Sequence, residues 1–301
     1  RTVYQGHLFV GTELLSDSPM KDHPLTPMRD ANLVRVLGRQ TRLAVGLVPF
    51  EQVEQGASGI RQALDRLRGD GRRLAIVDAV SDEHLRAIGE ATVDMPLVTG
   101  GSGIALGIPQ SLATRGVLTL APVPTEMPAA AGFSAVLAGS CSTATRAQIE
   151  AAIAAGMPAR RIDPEAIAAD PALVEALLDW ARSQLEGGIP LIYSSAEPEE
   201  VARIQSRLGV QRAGALIEQA MAEIAAGLVA LGVTRLIVAG GETSGAVVER
   251  LGVRAIEIGP EIDPGVPWTR CLDDQLPLVL ALKSGNFGAP DFFIKAWQQL
   301  S

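Results

Sequence analysis

The sequence predicts an α/β protein, with two domains of mainly parallel sheet flanked by helices and the active site in the interdomain cleft. Three observations predict it. At 301 residues the chain exceeds one average domain. Its composition is 47% hydrophobic but only 4% aromatic, which suits helices packed on buried parallel strands better than a β-sandwich. Short apolar runs recur along the chain, most of them followed by a small or polar turn and then a helical pattern.

The runs read as strands are Leu43 to Phe50, Leu74 to Val80, Ser134 to Ser140, Ile189 to Ser195, Arg235 to Gly241, Arg254 to Gly259 and Leu276 to Lys283. Between them, Ser58 is placed to cap a helix through Arg68, and Ser81 or Asp82 one through about Ala91. Asp170 and Pro171 form an N-cap and first-turn pair for a helix to Leu185. The longest helical pattern, Gln211 to Leu231, is Ala-rich and ends at Gly232. Ala121 to Gly132 (APVPTEMPAAAG) lacks periodicity and reads as a linker and hinge. It divides the chain into domains at 1–125 and 126–301. The opening RTVYQGHLFVG has no initiator Met and is already strand-like, as the middle of a protein would be.

A net charge of −8 without basic clusters argues against nucleic acid or an anionic membrane as partner. With no signal peptide and no apolar run of transmembrane length, the expected location is cytoplasmic. Cys141 and Cys271 have no metal-ligand or disulfide spacing, and His7, His23 and His84 are too scattered for a zinc set.

Three loops carry the chemistry. Each follows a predicted strand, at the edge where open α/β sheets bind ligands, and combines Gly with Ser, Thr or Asn. In AGSCSTATRAQI (Ala138 to Ile149), Gly139 and Ser140 end a strand and Ser142 or Thr143 caps the next helix. A free helix N-terminus is a ready phosphate site, though a plain Ser-capped turn explains this loop as well. In VAGGETSGAVVERLG (Val238 to Gly252), Gly240 and Gly241 allow a sharp turn, and Thr243, Ser244 and Gly245 begin a helix. Glu242 beside a phosphate cradle calls for a cation between the two, hence magnesium; alternatively it only complements the helix dipole. In ALKSGNFGAPDFFIKAW (Ala281 to Trp297), Lys283 is placed to offset phosphate charge and the glycines to admit a nucleotide; the plainer reading makes Lys283 a solvated strand end. No Walker P-loop and no G-x-S-x-G elbow occurs, and GGSGIALG (Gly100 to Gly107) is not a dinucleotide fingerprint. Residues alone thus lead to a two-domain α/β protein with a phosphate-binding cleft.

The strings YQGHLFVG (Tyr4 to Gly11), LLSDSPMKDHPLTPMRDANL (Leu14 to Leu33), GGETSG and KSGNFG-x-x-DFF, in this order and over essentially the whole chain, resemble the four-carbon acid sugar kinase family, in its 3-oxo-tetronate 4-kinase branch. The resemblance implies an acid-sugar-binding domain followed by a nucleotide-binding domain, with ATP and Mg²⁺ as cofactors. The implied reaction moves the γ-phosphoryl group of ATP to the 4-hydroxyl of a 3-oxo-tetronate. By motif, Ser140, Ser142, Gly240, Gly241, Glu242, Thr243, Lys283 and Gly285 would line the ATP site, with Glu242 near metal or phosphate. His23, Thr26 and the turn Gly101, Ser102, Gly103 are candidates for the substrate side, a rigid Pro-rich connection and a tight turn being the plainer alternatives. Family members open with an Asp-Asp-x-Thr-Gly-like motif that has no counterpart here, so the resemblance implies a further N-terminal segment, and no catalytic base is assigned. D-threonate or D-erythronate as the acid, a non-catalytic nucleotide- or acid-sugar-binding protein and a nicotinamide-dependent oxidoreductase are the rival readings, and homo-oligomerisation stays open.

Overall fold

The structure, a computed structural model, describes residues 1–22, 26–121, 127, 131–170, 172–273 and 275–300. The chain divides into two units, Arg1–Pro122 and Val123–Ser301. The boundary expected between residues 125 and 126 lies outside the described residues, as do most of the linker and Pro171.

The first unit opens with an antiparallel meander, β1 (Thr2–Tyr4), β2 (His7–Val10) and β3 (Glu13–Leu14). Its first turn is Gln5–Gly6, both at positive φ. Helix α1 (Leu33–Gly38) starts at Asn32, whose side chain accepts from the Arg35 N–H. Strands β4 (Val45–Val48) and β5 (Leu74–Val77) pair in parallel. Between them run α2 (Phe50–Val53) and α3 (Gly56–Gly69). Helix α3 begins two residues before Ser58, which therefore lies inside the helix and is not its cap. Ser81 does cap α4 (Asp82–Thr92), accepting from the His84 N–H, and α5 (Ile108–Thr114) follows a 3-10 turn, Ser102–Gly107. Val48, Val53, Ile60, Ala63 and Ile88 form this unit's core.

The second unit is a seven-stranded sheet. It comprises β6 (Phe133–Ala138), β7 (Ala159–Arg161), β8 (Leu191–Tyr193), β9 (Val233–Ala239), β10 (Ile256–Asp263), β11 (Val266–Cys271) and β12 (Val279–Lys283), in the order β10-β11-β12-β9-β6-β8-β7. From β12 to β7 all neighbours are parallel. The far edge is an antiparallel pair of joints, β10 on β11 and β11 on β12. Sequence reading missed β11 (VPWTRC) altogether, because Pro267 and two polar residues break its apolar pattern; it buries Val266 and Trp268 on one face and Thr269 and Cys271 on the other.

Helices α6 (Thr143–Ala154), α7 (Pro164–Ala169), α8 (Leu173–Gln184), α9 (Pro198–Leu208), α10 (Val210–Ala230) and α11 (Gly241–Arg250) connect these strands, and α12 (Phe292–Lys295) follows the last of them. Asp170 ends α7 rather than capping α8, whose N-cap is Ala172 without a side-chain bond. One core cluster joins Met221, Ile224 and Leu228 of α10 to Leu137, Leu236 and Leu280 of the sheet; a second joins Val136, Ile237, Trp268, Phe292 and Phe293. Among the described residues α10 alone is long and apolar enough to cross a membrane, which the sequence reading did not register. Ile217, Met221, Ile224 and Leu228 on one side of this helix are buried in the core.

Candidate active site

The register of the parallel strands brings four chain segments to one level. Lys283 of β12 pairs with Ala239 of β9, Ala239 with Ala138 of β6, and Ala138 with Tyr193 of β8. Four strands therefore end side by side, and the three loops singled out in the sequence leave from three adjacent strands. The fourth, Ser194–Ser195, leaves from the next.

Hydrogen bonds tie these loops together. The Ser142 hydroxyl donates to the Gly285 carbonyl at 2.6 Å and accepts from the Thr145 N–H at 3.2 Å, so one side chain caps α6 and fastens the third loop. Thr145, fully buried, donates to the same carbonyl at 2.9 Å. Ser195 donates to the Ser140 carbonyl, and Ser140 Oγ accepts from the Ser142 N–H at 3.2 Å. The Gly240 N–H donates to the Lys283 carbonyl at 2.8 Å, joining the second loop to the third.

Several of the loop glycines are sterically constrained, Gly240 and Gly285 among them. Gly240 has φ +135°, and a Cβ there would lie 2.8 Å from Thr243 Oγ1. A Cβ on Gly285 would lie 2.2 Å from Ser140 Oγ. Past Gly240, helix α11 starts at Gly241, with Glu242 exposed in its first turn and Thr243 buried. Two helix N-termini, of α6 and α11, thus begin just beyond adjacent strand ends. Their first N–H groups lack intrahelical acceptors and add dipole charge of the sign a phosphate needs.

Lys283 is not the solvated strand end of the plainer reading: its exposure is 0%. Its ammonium donates to Thr145 Oγ1 at 3.0 Å and to the carbonyls of Ser284, Gly285 and Phe287 at 3.1, 2.9 and 3.1 Å. Burial pulls its pKa down to about 8. Gln148, also fully buried, donates through Nε2 to the carbonyls of Phe287, Gly288 and Ala289. Asp263, at the end of β10, accepts from the Ala289 N–H at 2.8 Å and from Lys295 at 2.7 Å. Thr145, Gln148, Ser194, Ser195 and Asp263 are members that sequence reasoning missed. The signal for the first two was available, since a helix that buries Thr and Gln toward a sheet must be bonding something there.

In the first unit, His23 lies outside the described residues. Thr26 is exposed on the segment after β3, and Gly101 and Ser102 are exposed where the Ser102–Gly107 turn begins, with Gly103 packed near Leu85. The buried polar centre of this unit is instead Asp78, directly after β5. Its carboxylate accepts from the N–H groups of Gln5 (2.6 Å), Gly6 (2.9 Å) and Phe50 (2.9 Å). Burial pushes its pKa up, against the pull of these three donors. No cluster of three or more His, Cys, Asp or Glu suited to a metal occurs among the described residues.

A family model described as a nucleotide-binding C-terminal domain matches residues 135–293, and one described as a sugar-binding N-terminal domain matches residues 1–108. The 3-oxo-tetronate kinase of Pseudomonas fluorescens is 54% identical over 301 residues, covering 100% of this chain and 69% of that protein. The chain belongs to the 3-oxo-tetronate kinase family. The 3-oxo-tetronate kinases of Burkholderia multivorans (53% over 300 residues, 69% of that protein) and Pectobacterium atrosepticum (42% over 308 residues, 71%) match over the whole of this chain as well. A crystal structure described as a tRNA synthase from Salmonella typhimurium LT2 shares the fold at a TM-score of 0.79 and 40% identity, over 100% of this chain and 71% of that one. A Haemophilus influenzae protein follows at 0.64 and 40%, with the same coverage. Ser140, Ser142, Gly240 to Thr243, Lys283 and Gly285 all fall inside the segment matched by the nucleotide-binding model.

Proposed function

We propose that this chain is an ATP-dependent sugar-acid kinase, transferring the γ-phosphoryl group to the terminal 4-hydroxyl of a 3-oxo-tetronate. The observation that carries the reading is the level ending of β12, β9 and β6 in loops cross-tied by Ser142, Thr145 and Lys283, within a chain about half identical to kinases of that name.

Phosphoryl transfer asks the protein chiefly for alignment and charge stabilisation. Ser140, Ser142, Gly240, Gly241, Thr243 and Gly285 supply backbone and hydroxyl groups for the phosphate chain. The N-termini of α6 and α11 supply the favourable dipoles. Glu242 is an exposed carboxylate, and among the described residues no two acidic or imidazole neighbours complete a cage with it. That donor set fits Mg²⁺, which is commonly held by one or two carboxylates together with phosphate oxygens. When bound, the ion would neutralise charge on the transferred group. His23, Thr26 and the Gly101–Ser102–Gly103 turn remain our candidates for holding the acid sugar. The residues 1–125 and 126–301 are its sugar-acid and nucleotide domains in this reading.

Magnesium-dependent ADP release tests the proposal, measured for this chain with ATP and a panel of four-carbon acids. Release confined to a 3-oxo-tetronate is the expected result. Release with D-threonate or D-erythronate alone would move the assignment to another acid, and nucleotide binding without release to any acid would overturn the assignment of catalysis to this chain.

A further inference from the structure

Lys283 presents an unusual charge balance. Its ammonium is fully buried, yet all its partners are neutral: one hydroxyl and three carbonyls. Among the described residues no carboxylate pairs with it. The charged groups on the elements around it are engaged elsewhere or face solvent. Arg146 of α6 donates to the Cys141 carbonyl and pairs with Glu197. Asp263 of β10 pairs with Lys295, which also reaches Asp291. Glu242 of α11 and Glu150 of α6 are exposed. A buried charge without a counter-charge is expensive, and proteins keep one where something compensates it.

The carbonyls that Lys283 holds belong to Ser284, Gly285 and Phe287, the same loop that Ser142 and Thr145 fasten. Drawing several carbonyl oxygens inward onto one amine leaves less acceptor density on the loop's outer side, where an anion would otherwise meet repulsion. The amine thus shapes the loop and supplies a positive charge beneath it without reaching the ligand.

We propose that Lys283 is a positioning residue whose buried ammonium has the nucleotide's phosphate chain as its counter-ion, so that nucleotide binding and protonation of this amine are thermodynamically coupled. This rests on the nucleotide reading of the site. In the free protein the amine gives up its proton at about pH 8. A bound phosphate chain favours the charged form and moves that loss upward, so binding takes up a proton in the window above about pH 8. Affinity then falls as pH rises through the window.

The test is titration calorimetry of the full chain with Mg-ADP and a non-hydrolysable Mg-ATP analogue, in buffers of differing ionisation enthalpy, from about pH 7 to about pH 9. Phosphate's own second ionisation, near pH 6, lies below this range. Expected is proton uptake on the order of 0.1 per nucleotide at the low end, rising toward about one at the high end, and absent in Lys283→Met. Thr145→Val, which removes one neutral acceptor from the amine, should shift the onset of uptake to lower pH, and decides the matter if Lys283→Met does not fold. Nucleotide binding without uptake, uptake that persists in Lys283→Met, or an onset unmoved in Thr145→Val would each overturn the coupling and leave the nucleotide site standing. No nucleotide binding at any pH would overturn the site reading itself, and the coupling with it.

Discussion

Ser142 donates to the carbonyl of Gly285 at 2.6 Å across a separation of 143 positions in the chain. The residue that caps α6 is thereby also the clasp of the loop after β12. Capping and clasping are separable in principle, since Thr145 donates to the same carbonyl.

Ser142→Ala removes both bonds at once. A lost cap costs about 1 kcal/mol and a lost buried hydrogen bond about as much again, so a destabilisation of about 2 kcal/mol is expected in urea unfolding. Nucleotide affinity should fall together with stability, because the loop is freed on one side.

Gly285→Ala tests the cradle with less effect on the fold. The added methyl would sit 2.2 Å from Ser140 Oγ, so the Ser140 hydroxyl or one of the two loops must move. Nucleotide affinity should drop by roughly tenfold or more, corresponding to at least about 1.4 kcal/mol. Gly245→Ala, at a position with open space around it, is the control and should leave affinity unchanged.

Glu242→Gln should leave thermal stability within about 0.5 kcal/mol, as for other exposed substitutions. Magnesium-dependent turnover should fall by about tenfold or more, with a higher magnesium requirement. Unchanged turnover across a magnesium titration would remove Glu242 from the mechanism.

Lys283 also predicts a pH dependence of folding in the nucleotide-free protein. Its folded pKa, about 8, lies below the ordinary 10.5. Between these values the unfolded chain binds a proton that the folded chain does not, so the contribution of Lys283 to stability rises with pH across that window. Below about pH 8 both states are protonated and the full cost of burying the charge is present. Lys283→Met should flatten this rise, as seen by denaturant unfolding at successive pH values.

Asp78→Asn replaces a carboxylate that accepts three backbone N–H groups by an amide with a single acceptor oxygen. At least one donor is left unpaired, which costs about 1–3 kcal/mol. Proteolysis within residues 1–10 should accelerate in this variant, because the bonds to Gln5 and Gly6 hold that hairpin against the end of β5.

The sheet of the second unit was legible in the sequence because its buried parallel strands are continuous apolar runs, and the site's loops because glycines and hydroxyl residues cluster at their ends. The helix starting at Asp82 was legible from Ser81, a residue with one strong local role. Ser58 and Asp170 carry the same chemistry and misled, since Gly56 lets α3 begin earlier and Asp170 bonds the Ala172 N–H at the junction of α7 and α8. Strand β11 was hidden by Pro267, Thr269 and Arg270, which break its apolar run although four of its six residues are buried. The inward turn of Lys283 was hidden for a different reason: its burial depends on Thr145, 138 positions earlier, and no local pattern reports a partner that distant. Asp78 stands in an apolar run as an isolated acid, which is itself a sign of burial with specific partners.

Strand β12 pairs with β9 on one side and β11 on the other, both of which precede it in the chain. A ribosome therefore delivers β12 after both of its neighbours, and until then β9, paired with β6, and β11, paired with β10, each keep one open edge. Contacts this remote in sequence fold slowly and leave strand edges exposed meanwhile. The vulnerable interval in the life of this protein is accordingly late in synthesis, and it closes with the arrival of the segment that bears Lys283 and Gly285.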